Sequence, residues 1–399
     1  MINKKLSWNT HYLITHAAVR DCAAAALNDS VRIMSLEEFL ALAGEDLQDV
    51  IAANLRLPGE QTRGENKVTI STPGDLLIAL KLNPKTTIPY VRAIEPEQTR
   101  GLSVHDMSRS GPPALSYAQT TEGEQMRVSE IFATFSDEPD WGMDQELYNI
   151  ENYPYGHAPF GIGTGLSSQA AFHMAFFHEN PVLAWIFPDL RITFLDQRAR
   201  LFLELARFAI CRGAPYWGWR FAAWAAHYLQ DVTQPYHARA LPFPLSTILW
   251  GVVRRLVSRS SSPSKNFLVN RHHIFEAMAH YIMNEAAKDH SVHACLSALE
   301  KRGDYSGSTL DLVIRGSSKV AADLAVRLNR TFEVVLNDSR IDDPEYSVLE
   351  VEEYPIEEKI AEALAERPKL FNELIALMCA CLEETGMVTR YVVRAMTRN

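Results

Sequence analysis

Residues 194–237 read FLDQRARLFLELARFAICRGAPYWGWRFAAWAAHYLQDVTQPYH. The apolar positions of 194–212 recur at helical spacing, so this segment forms an amphipathic helix ending at Gly213. A second helix runs from Pro215 to about Gln234. Proline suits a first helical position because no N–H is needed there, and Pro235 marks the far end. Two long helices joined by a short turn set the fold class as helical.

Outward from this pair, most of the chain carries the same period. Residues 10–28, 35–55, 168–187, 268–289, 317–338 and 356–396 read as helices. Ser35 is a cap with Glu37 and Glu38 behind it, and Val320, Leu324 and Leu328 share one stripe. Residues 56–125 are rich in Pro, Gly, Thr and Ser and read as an irregular insertion with a few short strands. Residues 140–167, rich in Gly, Pro and Tyr, read as loop. No internal repeat occurs. The expectation is an all-α, multi-helical bundle forming a single domain over 1–399. It carries insertions at 56–125 and 239–271 and a helical C-terminal extension at 300–399.

Composition narrows the class. The chain has 399 residues, 47% apolar and 22% charged, which excludes a disordered tail, a collagen-like fibre and a coiled-coil rod. The net charge is −10 and no long Lys/Arg tract occurs, which argues against duplex nucleic acid as a partner. Cys22, Cys211, Cys295, Cys379 and Cys381 are odd in number and sparse, so they read as buried or idle thiols. Asn9, His11 and His16 interrupt the N-terminus, so it has no apolar core of a signal peptide. Residues 240–253 are too short for a membrane span and carry Pro242 and Pro244. The expectation is a soluble chain, cytoplasmic by default.

The histidines carry the chemistry. In HYLQDVTQPYH, His227 and Asp231 lie four apart on one helix face, and His237 follows the turn at Pro235. In RHHIFEAMAHY, His272 and Glu276 share a stripe, whereas His273 is rotated by about 100° from His272. Imidazole and carboxylate at such spacing suit zinc. His11 and His16 are five apart, so only one can face a given site. Asp140 and Asp144 stand in SDEPDWGMD, His157 in YPYGHAPFG, and His173 and His178 in SSQAAFHMAFFHE.

Together these segments resemble the zinc-dependent phospholipase C and P1/S1 nuclease superfamily. Its hallmark is a phrase like HYLGD-x-x-QP-x-H, met here by His227 to His237, with Gln230 where the family usually has Gly. A second hallmark, H-x-x-x-E, is met by His272 and Glu276, and Thr10-His11 matches the family's early Thr/Ser-His. The resemblance covers 8–28, 136–160 and 196–290. It implies phosphodiester hydrolysis at three zinc ions, and at least two. The first would take Asp140, His157, His227 and Asp231, with Asp144 and His173 as the alternative pair. The second would take His237, His272 and Glu276. The third would take His11 and the bridging Asp231, with Trp8, whose amine is free only if residues 1–7 are removed. Asp140 would also serve as general base.

Three features bear on the substrate. Glu276 matches the phospholipase C branch, since the nuclease branch usually has Asp. Residues 239–271 hold Arg239, Arg254, Arg255, Arg259, Lys265 and Arg271 and no acid, together with Trp250, which reads as a peripheral membrane-surface element. Trp141 beside Asp140 is placed to stack on a cationic headgroup. Phospholipid headgroup cleavage leads. Single-stranded nucleic acid, or a silent zinc-stabilised lipid-binding protein, are the alternatives.

Overall fold

The computed structural model describes residues 10–55, 70–83, 86–93, 117–144, 170–241, 266–288, 293–301, 303–343, 345–348 and 354–397. Among them stand fifteen α-helices and two small antiparallel ladders, an all-α fold. The N-terminal helices are α1 (Thr10–Val19), α2 (Leu36–Ala43), α3 (Asp46–Asn54) and α4 (Pro73–Ala79). Next come α5 (Val128–Phe135), α6 (Ala170–His173) and α7 (Pro181–Ile186). The central pair is α8 (Leu195–Cys211) and α9 (Pro215–Asp231), with the single turn α10 (Pro235–Ala238) beyond it. The chain continues through α11 (Asn266–Lys288), α12 (Ala294–Glu300), α13 (Leu310–Leu336), α14 (Ile356–Glu366) and α15 (Pro368–Thr397). In the ladders, β1 (Ser30–Arg32) pairs with β4 (Gln125–Arg127), Ser30 facing Arg127. Likewise β2 (Val91–Ala93) pairs with β3 (Tyr117–Gln119), Val91 facing Gln119.

Helix α9 is the axis of the molecule. Every residue from Tyr216 to Asp231 is buried, so no polar face is turned to solvent. A helix buried all round needs partners on every side. Helices α8, α5 and α15 supply them. Gly213, at φ +76°, makes the turn between α8 and α9 that an L side chain would strain. The apolar interior has two halves. One gathers α8, α9 and the ladders, including Phe202, Trp217 and Trp224. The other gathers α1 and the C-terminal helices, including Tyr12, Phe275 and Phe332.

Several boundaries differ from the sequence expectation for local reasons. Residues 35–55 divide at Gly44, at φ +60°. Residues 356–396 divide where Pro368 opens α15. Residues 168–187 give only α6 and α7, because Asn180 caps a new start at Pro181 by accepting from the Val182 N–H at 2.8 Å. In the described parts of 56–125, Leu76, Leu80, Leu82, Val91 and Tyr117 enter the first core half. In 300–399, α13 and α15 form much of the second half, and α15 packs on α9. Most of 239–271 lies outside the described residues. Within its described end, Arg271 is buried, its Nε donating to Asp342 Oδ1 at 3.0 Å, so it is not a lipid-facing cation.

Gly386 lets α15 close on α12. A Cβ there would stand 2.2 Å from the Leu299 carbonyl oxygen. On an open helix Gly→Ala gains about 0.5–1 kcal/mol, but overpacking against backbone costs about 1–3 kcal/mol. Gly386→Ala is therefore expected to lower the thermal midpoint. Gly316→Ala, in exposed α13 with its nearest atom at 3.9 Å, should raise it. Differential scanning calorimetry of both variants reads the sign, and a stabilised Gly386→Ala would refute the tight α12–α15 contact.

Candidate metal centre

Eight side chains from six segments converge where the two core halves meet. Helix α9 contributes His227 and Asp231 from its last turn, one above the other as four-residue spacing requires. Gln234 caps α10, its Oε1 accepting from the backbone N–H groups of Tyr236 and His237, and this turn swings His237 back toward Asp231. Helix α11 presents His272 and Glu276, helix α1 presents His11, and one-turn α6 presents His173. Asp140 comes from a 3₁₀ turn at Glu138–Trp141, below α5.

Three groups of donors are close enough to hold metal ions: Asp140, His173 and His227; His237, His272 and Glu276; and His11, His227 and Asp231. In the first, His227 Nε2 is 3.0 Å from His173 Nδ1, and each lies 3.7 Å from Asp140 Oδ1. Asp231 Oδ2 joins them at 3.0 Å from His173 Nδ1 and 3.4 Å from His227 Nε2. In the second, His237 Nε2, His272 Nε2 and Glu276 Oε1 are separated by 2.7, 2.9 and 3.3 Å. In the third, His11 Nε2 lies 3.6 Å from Asp231 Oδ1 and 3.8 Å from Asp140 Oδ2.

The imidazoles are oriented from behind. His227 Nδ1 donates to the Ser136 carbonyl at 2.8 Å. His173 Nε2 meets Asp144 Oδ2 at 3.1 Å, and Asp144 is held by Arg198 Nη2 at 2.7 Å and Tyr228 Oη at 2.6 Å. His11 Nδ1 donates to Gln230 Oε1 at 2.8 Å. Gln230 in turn donates to Thr15 Oγ1 at 2.8 Å and Thr389 Oγ1 at 3.0 Å, tying α1, α9 and α15 together. In these three imidazoles the outer nitrogen is held from behind, and the inner nitrogen faces the other donors of the cluster.

The loop before Asp140 is anchored twice. Asp137 accepts from the Tyr12 N–H at 3.0 Å and from Tyr117 Oη at 2.9 Å. Glu138 is buried against Arg220, whose Nε donates at 2.8 Å, and accepts from Trp224 Nε1 at 2.7 Å. Arg220 itself lies over the Phe135 ring at 3.9 Å.

Electrostatics follow from three carboxylates in one buried place. Burial raises Asp140 to about 7, countered in part by His173 and His11. Burial also works against charge on His237 and His173, but carboxylates outweigh it. Asp231 and Glu276 raise His237 to about 9, and Asp231 and Asp144 raise His173 well above the usual imidazole range. His227 goes the other way: burial and the neighbouring His11 hold it neutral. The cluster calls for positive charge, which protons or metal ions supply.

Of the residues expected from sequence, the structure brings together His11, Asp140, His227, Asp231, His237, His272 and Glu276. Trp8 and His157 lie outside the described residues. The imidazole found against Asp140 is His173, one of the alternative pair. Its fellow, Asp144, stands one layer out, orienting His173. Trp141 is not where a headgroup could reach it. It is buried edge-on against Tyr117 at 5.1 Å, because the 3₁₀ turn that points Asp140 to the cluster points its neighbour into the core. Sequence reading missed the roles of Gln230, Ser136 and Glu138. Gln230 did carry a signal, as the departure from Gly within the 227–237 phrase. The chain matches no family model, no curated protein and no solved structure.

Helical phase separates ligands from neighbours. His11→Ala and His272→Ala are expected to lose metal in a chelator-competition titration, and His16→Ala and His273→Ala to keep it. Asp144→Asn, with folding followed by circular dichroism, should weaken uptake about 10–100-fold through the misdirected His173. Full affinity in His11→Ala and His272→Ala would overturn the ligand assignment.

Proposed function

We propose that the chain is a zinc-dependent phosphodiester hydrolase, cleaving a phospholipid headgroup in the manner of the phospholipase C branch. The observation that carries this is the first donor group. Four donors at tetrahedral corners, about 2.0–2.1 Å from a zinc ion, stand about 3.3 Å apart. Five separations among Asp140, His173, His227 and Asp231 run from 3.0 to 3.7 Å. The donors are nitrogen and oxygen only, which suits zinc among the transition metals. His237, His272 and Glu276 offer a second, three-donor site that leaves a position for water or substrate. His11 and Asp231 offer a third. Bound zinc would supply an activated water near neutral pH and charge to offset the phosphoryl oxygens.

The chain's own residues divide the remaining work. His173, His227, Asp231 and His237 are buried and form the back wall. Asp140, His11, His272 and Glu276 keep between 13% and 19% of their side chains exposed, so the substrate phosphate approaches from their side. Asp140 stands at that rim with one oxygen turned to His173 and His227 and the other toward His11. It can accept the proton of an attacking water, and its raised affinity for a proton suits a general base. Among the described residues no helix is long and apolar enough to cross a membrane. A lipid substrate would therefore be met at a surface or as a monomer.

Elemental analysis of protein prepared with zinc is expected to give at least two zinc ions per chain. Chelation should abolish hydrolysis and lower the thermal midpoint, since an ion bound only by the folded state adds to stability. Phosphatidylcholine should be cleaved in preference to single-stranded DNA. Less than one zinc per chain would refute the reading, and a preference for DNA would move it to the nuclease branch.

A further inference from the structure

A cavity opens beside the donor cluster. His11, Asp140, Asp231 and Glu276 form one wall, so whatever enters touches the proposed reaction centre at once. Away from them the lining changes character. Ile14 of α1, Phe275, Ala279 and Met283 of α11, and Met378 and Leu382 of α15 complete the lining. Cys381 adds a thiol that burial pushes up to about 12, so it stays uncharged.

The polar groups at the floor are already engaged. Gln230 spends both ends of its amide on His11, Thr15 and Thr389. Thr233 donates to the Gln230 carbonyl at 2.6 Å and meets Thr385 at 2.7 Å. Gln234 caps α10 and donates to Glu276 at 3.2 Å. A nucleobase entering here would forfeit its hydrogen bonds to water without replacing them, which is costly. A saturated chain loses nothing of that kind and gains by leaving water. Methionines at two positions suit a flexible guest, since their side chains adapt to irregular shapes.

We propose that this slot takes an apolar chain of the substrate beside the reacting phosphate, so that part of the tail is drawn into the protein with the headgroup. The reading rests on the phosphodiesterase assignment for the phosphate end. It departs from an interfacial enzyme, whose substrate leaves its tails in the bilayer. Helices α1, α11 and α15 and the engaged polar groups bound the slot.

The test is binding, measured calorimetrically on the purified full chain with butyl, hexyl and octyl phosphate below their micelle concentrations. Affinity should rise about fourfold per methylene, the equivalent of roughly 0.8 kcal/mol for each CH₂ buried. Ala279→Phe on α11 and, independently, Met378→Trp on α15 should each flatten the series while zinc content is kept. Equal affinity for butyl and octyl phosphate in the parent overturns the proposal. So does a steep series in both variants. A flat series in a protein that still cleaves phosphodiesters removes the slot and leaves the hydrolase. A steep series in a protein that cleaves none removes the hydrolase and leaves the slot.

Discussion

The carboxylate of Asp231 sets the terms for everything around it. It sits at the end of α9, where the helix dipole disfavours an anion, and it is almost wholly buried. An unpaired charge in such a place would cost several kcal/mol. It is tolerated because imidazoles reach it from four elements. Oδ2 faces His173 of α6 and His227 of α9, and Oδ1 faces His237 of α10 at 3.0 Å and His11 of α1. The arrangement of α1, α6 and α10 around the end of α9 is therefore an electrostatic requirement as much as an apolar packing. Opposing forces of this kind hold the charge between two layers of aromatic core.

A second layer turns that requirement into geometry. Buried ion pairs are weak contributors to stability because desolvation consumes most of their attraction. Arg198–Asp144 and Arg220–Glu138 are better understood as positioning devices. The first pins the carboxylate that orients His173. The second fixes the loop from which Asp140 projects, with Trp224 and Phe135 closing it from water. Gln230 does the same for His11 without any charge. Its side chain also bridges the N-terminal and C-terminal helices, so the support behind His11 is shared by α1, α9 and α15.

How much of this was legible in the sequence depends on where each residue gets its direction. His227, Asp231, His272 and Glu276 take theirs from a helix, and four-residue spacing alone is enough to announce a shared face. The exclusion of His16 and His273 from the donor groups follows from the same arithmetic. His173 had no such announcement. It sits on a single turn of helix, and its partner Asp140 lies more than thirty residues away in sequence, so only tertiary packing brings the two together. Trp141 shows the opposite trap. Adjacency to Asp140 suggested a shared site, whereas a 3₁₀ turn sends successive side chains to different sides. The helical class was plain from periodicity, but the break at Gly44 and the start at Pro181 were set by local backbone chemistry that the period does not carry.

The asymmetry of the cluster explains why its chemistry and its apolar slot belong together. The back donors are sealed by α9 and the aromatic core, and the front donors border Phe275, Met283 and Met378. Once a guest fills that space, little water remains beside Asp140 and Glu276. Charge interactions strengthen as the local dielectric falls, so on the proposed reading an apolar neighbour would sharpen the field that the donors, with ions bound, exert on a phosphate. A slot that binds only a tail would add uniform affinity and no rate. On the proposed reading, a slot whose wall is made of the donors themselves would couple the two, because occupying it would also dry the proposed reaction site.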